Sequence, residues 1–138
     1  MGLRTVDVLQ PLAARALGAC GYARARTRAA RDTLVDLRGQ LAAPPAVRRV
    51  AHESCGRLVA ETSELVAVAQ SELNRIRTMS HAMSVTAPSA RADAAPLIAL
   101  VEEAISRVET ELVALQTEVA QHLAVDRTPP SAASDPRQ

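Results

Sequence analysis

Apolar residues recur at steps of three and four along most of the chain, which is the period of a helix with one buried face. Three segments interrupt this pattern: Pro44-Pro45, residues 86–93 and the stretch that begins at Thr128. The pattern therefore predicts three helices, over residues of about 10–43, 46–86 and 93–126.

The first predicted helix starts near Gln10, with Pro11 at its first position, where the missing proline N–H has no helical partner to lose. Gly18 and Gly21 weaken this helix, so a kink, or a separate first helix that ends near Gly21, is the alternative. Its apolar stripe contains Leu12, Ala16, Cys20, Ala23, Thr27, Ala30, Leu34, Leu37 and Leu41.

The second predicted helix has the widest apolar face, as expected of a helix that contacts two neighbours. Its stripe contains Ala51, Cys55, Leu58, Thr62, Leu65, Ala69, Ile76, Met79 and Met83. The third helix is predicted to begin at Asp93 as N-cap, with Pro96 in its first turn. Its stripe contains Leu97, Val101, Ile105, Val108, Leu112, Leu115, Val119 and Leu123.

These elements predict an all-α fold, a long antiparallel three-helix bundle of coiled-coil type. We expect one helical domain over residues 1–126. Residues 127–138 lack apolar anchors, so a disordered C-terminal tail is predicted there. The composition agrees, because the chain has no Phe or Trp and its 138 residues offer mainly Ala, Leu and Val to a core.

Charge is unevenly distributed along the chain. Residues 12–31 carry five arginines and no acid, whereas residues 53–126 are rich in acids. When the chain is folded into an antiparallel bundle, several residues of opposite charge come to the same height on neighbouring helices. This arrangement predicts ion pairs between helices. A chain reversal between Pro44 and Pro45 pairs Arg28 with Glu61, Arg24 with Glu64 and Asp32 with Arg57. A second reversal near residue 90 pairs Arg77 with Glu103 and Glu72 with Arg107.

The arginines of the first helix suggest an alternative function, nucleic-acid binding, since arginine neutralises phosphate. They flank the apolar stripe as charged residues do in packed helices, and Tyr22 is the only aromatic residue that could stack on a base. We therefore rank nucleic acid below protein as a partner. The residues of this arginine stripe are Arg15, Arg24, Arg26, Arg28 and Arg31.

Four residues are candidate metal ligands. His52 and Cys55 are three apart, Glu118 and His122 are four apart, and the bundle brings all four to one end. A structural zinc site needs four converging ligands, whereas His52 is predicted to project away from the apolar stripe. We therefore expect no metal and no other cofactor.

Catalytic signatures are missing from the sequence, which has no Gly-x-Ser-x-Gly elbow and no phosphate-binding glycine loop. We expect a non-catalytic interaction subunit, adaptor or scaffold, oligomeric with itself or bound to another protein. Aliphatic residues at the edges of the second and third stripes are the predicted contact residues. They are Val59, Val66, Val68, Leu100, Val113 and Val125.

The sequence also bears on location. It contains no apolar run long enough to span a membrane. The two cysteines are predicted to be free thiols, because the helix register places them far apart, and free thiols favour the cytoplasm. An Arg-rich start allows an organellar alternative, in which residues 1–31 are a transit peptide.

Overall fold

The computed structural model describes residues 4–39 and 43–127. They form three helices, α1 (Thr5–Gly39), α2 (Pro45–Thr86) and α3 (Ala90–Arg127), and each helix packs against the other two. The predicted all-α three-helix bundle is confirmed, and the described ranges contain no strand. The predicted tail lies outside the described residues except for Arg127, the last residue of α3.

Helix α1 begins at Thr5, five residues before the predicted start. Thr5 and Leu9 are both buried and continue the apolar stripe toward the N-terminus, so their packing favours an earlier start. Pro11 consequently lies inside the helix rather than at its first position. The helix is continuous through Gly18 and Gly21, and the predicted alternative of two separate helices is wrong.

Helices α2 and α3 also begin before their predicted starts. Pro45 opens α2, preceded by Pro44 in an extended conformation with φ −58° and ψ 148°. Ala90 opens α3, so Asp93 lies in the first turn and is not the N-cap. The backbone N–H of Asp93 already donates a helical hydrogen bond to the carbonyl of Ser89, at 2.9 Å.

Side-chain contacts fix how the helices are aligned. Arg26 lies 3.3 Å from Glu61 across α1 and α2, and Arg77 lies 2.9 Å from Glu102 across α2 and α3. Helix α2 is therefore antiparallel to both neighbours, in a register within a few residues of the predicted one. Helices α1 and α3 run parallel, so the end of α1, the start of α2 and the end of α3 meet at one end of the bundle. We call this end the His52 end and the opposite one the His81 end.

The core consists of two clusters of buried residues. The larger cluster lies toward the His81 end and contains Leu9, Leu12, Ala13, Ala16, Ala19, Cys20, Ala23, Ala69, Leu73, Ile76, Ala94, Val101, Ile105 and Val108. The smaller cluster lies toward the His52 end and contains Ala30, Leu34, Leu37, Cys55 and Leu115. Every residue of the predicted stripes that the structure describes is buried or half-buried.

The two cysteines lie in different clusters and are free thiols, as predicted. Both are buried, and this burial raises the pKa of each thiol above its ordinary value because the thiolate is poorly solvated. The Cys55 thiol donates to the carbonyl of Ala30, with a sulfur to oxygen distance of 3.6 Å.

Candidate interaction surfaces

The six predicted contact residues fall into two groups. Four are exposed to solvent: Val68, Leu100, Val113 and Val125. The other two, Val59 and Val66, are half-buried, and they pack against the smaller and the larger core cluster respectively. Only the first group is therefore accessible to a partner without disturbing the core.

The exposed aliphatic residues of α3 do not share one face. Nearly whole numbers of turns separate Leu100 and Val125 from Glu118, so all three lie on the same side of α3. That side faces α1, because Glu118 lies 3.9 Å from Arg31. Val113 is about 140° away from Leu100 around the helix axis. A single partner helix along α3 cannot cover both Leu100 and Val113.

Helix α1 contributes an exposed aliphatic residue to the same side. Val35 follows Arg31 by four residues and precedes Arg38 by three, so the three side chains share one flank of α1. Arg31 pairs with Glu118 of α3, and Arg38 donates from Nε to Nε2 of His122 at 3.0 Å. We call the boundary formed by Val35, Leu100 and Val125 with these polar pairs the α1–α3 seam. Val35 was not among the predicted contact residues, although the sequence shows it beside the arginine flank.

Most of the arginine stripe is engaged within the bundle. Arg15 and Arg26 face glutamates of α2, whereas Arg24 and Arg31 face glutamates of α3. The pairs are Arg15–Glu72 (3.9 Å), Arg26–Glu61 (3.3 Å), Arg24–Glu111 (3.5 Å) and Arg31–Glu118 (3.9 Å). Arg28 is exposed. Because these pairs are partly exposed, each contributes only about 0–1 kcal/mol, but together they neutralise much of the stripe.

The observed ion-pair partners differ from the predicted ones. Glu61 pairs with Arg26 rather than Arg28, and Arg24 reaches Glu111 of α3 instead of Glu64. One flank of α1 faces α2 and the other faces α3. The register of the α1–α2 hairpin gives the level of each arginine but not which of the two helices it faces.

The pairs between α2 and α3 also differ. Arg77 bonds to Glu102 rather than Glu103, and Glu103 pairs within α3 with Arg107 at 2.8 Å. Glu72 is buried and lies 3.7 Å from Arg75 on its own helix, in addition to its contact with Arg15. The predicted pair between Glu72 and Arg107 is therefore wrong.

The four candidate metal ligands lie toward the His52 end but make other contacts. The His52 and His122 rings are 6.3 Å apart. His122 also accepts from Arg38, Glu118 faces Arg31, and Cys55 donates to a backbone carbonyl in the core. Among the residues that the structure describes, no three His, Cys, Asp or Glu side chains are grouped so that they could hold a metal ion.

An open groove of about 320 Å³ adjoins His52. Pro45, Arg48 and Arg49 of the first turns of α2 line it, with Leu123 of α3 on the other side. This groove is basic and shallow, and none of the predicted contact residues lines it.

Comparison with protein-family models, curated proteins and solved structures found no match to this chain. Along residues 4–39 and 43–127, no helix combines the length and the hydropathy needed to cross a bilayer.

Proposed function

We propose that this chain is a non-catalytic helical subunit or adaptor, which binds a second copy of itself or another protein through its helix faces. The observation that supports this function best is the α1–α3 seam. Its three aliphatic side chains retain at least half of their surface in the monomer: 57% for Val35, 50% for Leu100 and 72% for Val125.

The chemistry of the seam suits a protein partner. Aliphatic side chains on long helices are favourable contact points because burying them removes apolar surface from water. The ion pairs Arg24–Glu111 and Arg31–Glu118 lie between these aliphatic side chains, and within each pair the two charges neutralise one another. A partner helix could therefore pack along the seam without leaving an unpaired charge in the interface.

Nucleic-acid binding remains the second candidate, and we rank it lower because four arginines of the stripe face glutamates within the bundle. We also propose a reducing compartment such as the cytoplasm, since both thiols are free and buried. The reducing compartment can be tested by purifying the protein from its native source, denaturing it and labelling its thiols. An oxidised cysteine pair would contradict this proposal.

Sedimentation of the full chain, alone and with proteins captured from its native source, tests the proposed association. We expect the chain either to self-associate at tens of micromolar or to bind a partner in a stoichiometric complex. The association should persist at high salt, because screening weakens ion pairs but not apolar burial. A stable monomer with no captured partner would contradict the proposal.

Single substitutions then locate the interface. Leu100→Glu and Val125→Glu should dissociate the complex while the helical content is retained. Val85→Glu is the matched control, because Val85 on α2 is 78% exposed and lies away from the seam. Dissociation by Val113→Glu alone would move the interface away from the seam, to the side of α3 that carries Val113. Val66→Glu is unsuitable, since Val66 packs against the core.

A further inference from the structure

A second groove lies at the His81 end, between the last turns of α2 and the first turns of α3. Its volume is about 420 Å³. Two arginines, a histidine, a serine and a glutamate line it, together with the apolar side chains of Ala95 and Ile98. This groove is lined neither by the predicted contact residues nor by residues of the α1–α3 seam.

Hydrogen-bond donors dominate the polar lining. Arg91 donates from its terminal guanidinium nitrogen to Nδ1 of His81, at 2.5 Å. Because Nδ1 is the acceptor, the neutral imidazole carries its proton on Nε2, which is then a second donor. The guanidinium and the imidazole ring are therefore in contact at the rim of the groove.

Ser80 adds a hydroxyl group to the polar lining of the groove. Only 4% of this residue is exposed, yet it lines the groove. Within the described part of the chain, no hydrogen bond joins its hydroxyl to another residue. Its hydroxyl oxygen still reaches solvent, so it can donate a hydrogen bond to a ligand that occupies the groove.

The net charge of the groove is positive. Its one carboxylate, Glu102, is held by Arg77 at 2.9 Å. Arg91 has no carboxylate beside it in the groove, and it is the second residue of α3, where the positive end of the helix dipole favours an anion. Asp93, the acid of the same turn, does not line the groove.

We infer that this groove binds a small phosphate monoester. The phosphate oxygens accept from Arg91 and from the Ser80 hydroxyl beside His81, and a guanidinium can donate two parallel bonds to such an anion. Ala95 and Ile98 contact the carbon part of the ester. This inference does not depend on the proposed association along the α1–α3 seam.

Binding of inorganic phosphate and of phenyl phosphate to the full chain tests the inference. NMR signals of the imidazole rings are followed at one pH and at constant ionic strength. We expect saturable shifts of His81 alone, because His52 and His122 lie at the opposite end of the bundle. Phenyl phosphate should bind more tightly than inorganic phosphate because its ring covers Ala95 and Ile98.

Matched variants separate a built site from general charge attraction. Arg91→Gln should weaken binding about tenfold or more, as expected for a lost charge-assisted hydrogen bond. Arg107→Gln is the control, since this exposed arginine of α3 does not line the groove. Ser80→Ala should weaken binding with the helical content unchanged. Glu102→Gln should strengthen binding, because it removes the competing carboxylate and releases Arg77.

Three results would overturn the inference. These are equal shifts of all three histidines, equal losses of affinity in Arg91→Gln and Arg107→Gln, and no binding above that of chloride at the same ionic strength. Equal affinities for the two phosphates would likewise overturn the assignment of Ala95 and Ile98 to the ester.

Discussion

The two halves of α2 are embedded very differently in the bundle. Between Ala69 and Ser80 the helix buries five residues, whereas between Pro45 and Val68 it buries only Cys55 and Thr62. Val47 and Val50 near its start are 49% and 62% exposed. Apolar burial, which supplies most of the stability of a helix bundle, is therefore concentrated toward the His81 end.

The contrast shows that small side chains can make an effective core. The buried stripe of α1 between Ala13 and Ala23 consists of alanines and Cys20, and each of these residues is at most 6% exposed. Alanine lets helix backbones approach closely, so Leu73, Ile76 and Val101 are also almost completely buried. At the His52 end, Leu34, Leu37 and Leu115 are buried as well, but Leu58, Val59 and Val119 remain only half-buried.

Core truncation in the two halves should give the largest difference. Ile76→Ala removes a fully buried side chain from the larger cluster and should lower the free energy of unfolding by about 2–5 kcal/mol. Leu58→Ala removes a half-buried side chain and should lower it by about half as much, in proportion to its smaller buried area. Chemical denaturation monitored by circular dichroism measures both. Equal losses would mean that the two halves are equally stabilised.

Thiol labelling compares local opening in the two halves. Burial raises the pKa of both cysteines, so little reactive thiolate is present near neutral pH and both should react far more slowly than an exposed thiol. Cys55 should react about tenfold faster than Cys20, because opening of the smaller cluster requires less free energy. Mass spectrometry of the single variants Cys20→Ser and Cys55→Ser measures each rate. Faster labelling of Cys20 would reverse the comparison.

Glycine replacement in α1 should give a smaller effect of opposite sign. A Cβ atom added at Gly18 or Gly21 meets nothing within 4 Å. Alanine at either position should therefore raise the free energy of unfolding by about 0.5–1 kcal/mol, through helix propensity alone. Gly56→Ala, in the weakly embedded half of α2, is equally unobstructed and should raise it by a similar amount. A loss of stability at Gly18 or Gly21 would indicate a partner packed closely against α1.

Neutralising one ion pair should have the smallest effect. Arg26 and Glu61 are both partly exposed, with side-chain exposures of 38% and 41%. Arg26→Gln should therefore lower the free energy of unfolding by less than about 1 kcal/mol, and salt should reduce the difference further. A double-mutant cycle with Glu61→Gln measures the coupling. A coupling energy well above this range would show that the pair is more shielded than its exposure suggests.

Sequence periodicity was sufficient for the architecture because each helix has its own stripe and the proline-containing breaks are strong. Pro11 favours a helix start at its own position, but Leu9 continues the buried stripe and α1 begins at Thr5. Individual ion pairs were harder to predict from the sequence, because a long arginine side chain can reach several acids and the two flanks of α1 face different helices. The groove beside Ser80 could not be predicted, because it depends on how far apart α2 and α3 lie at one end.

The parallel arrangement of α1 and α3 has a consequence for the order of folding. Neighbouring helices in the chain can form hairpins early, because only a short loop has to close between them. Contacts between α1 and α3, such as Thr27 with Glu111, join residues 84 positions apart and need α2 in place. We expect a fast folding reaction in which this interface forms last. Substitutions at the α1–α3 contacts should then mainly accelerate unfolding, whereas those at a hairpin should slow folding, as stopped-flow kinetics would show.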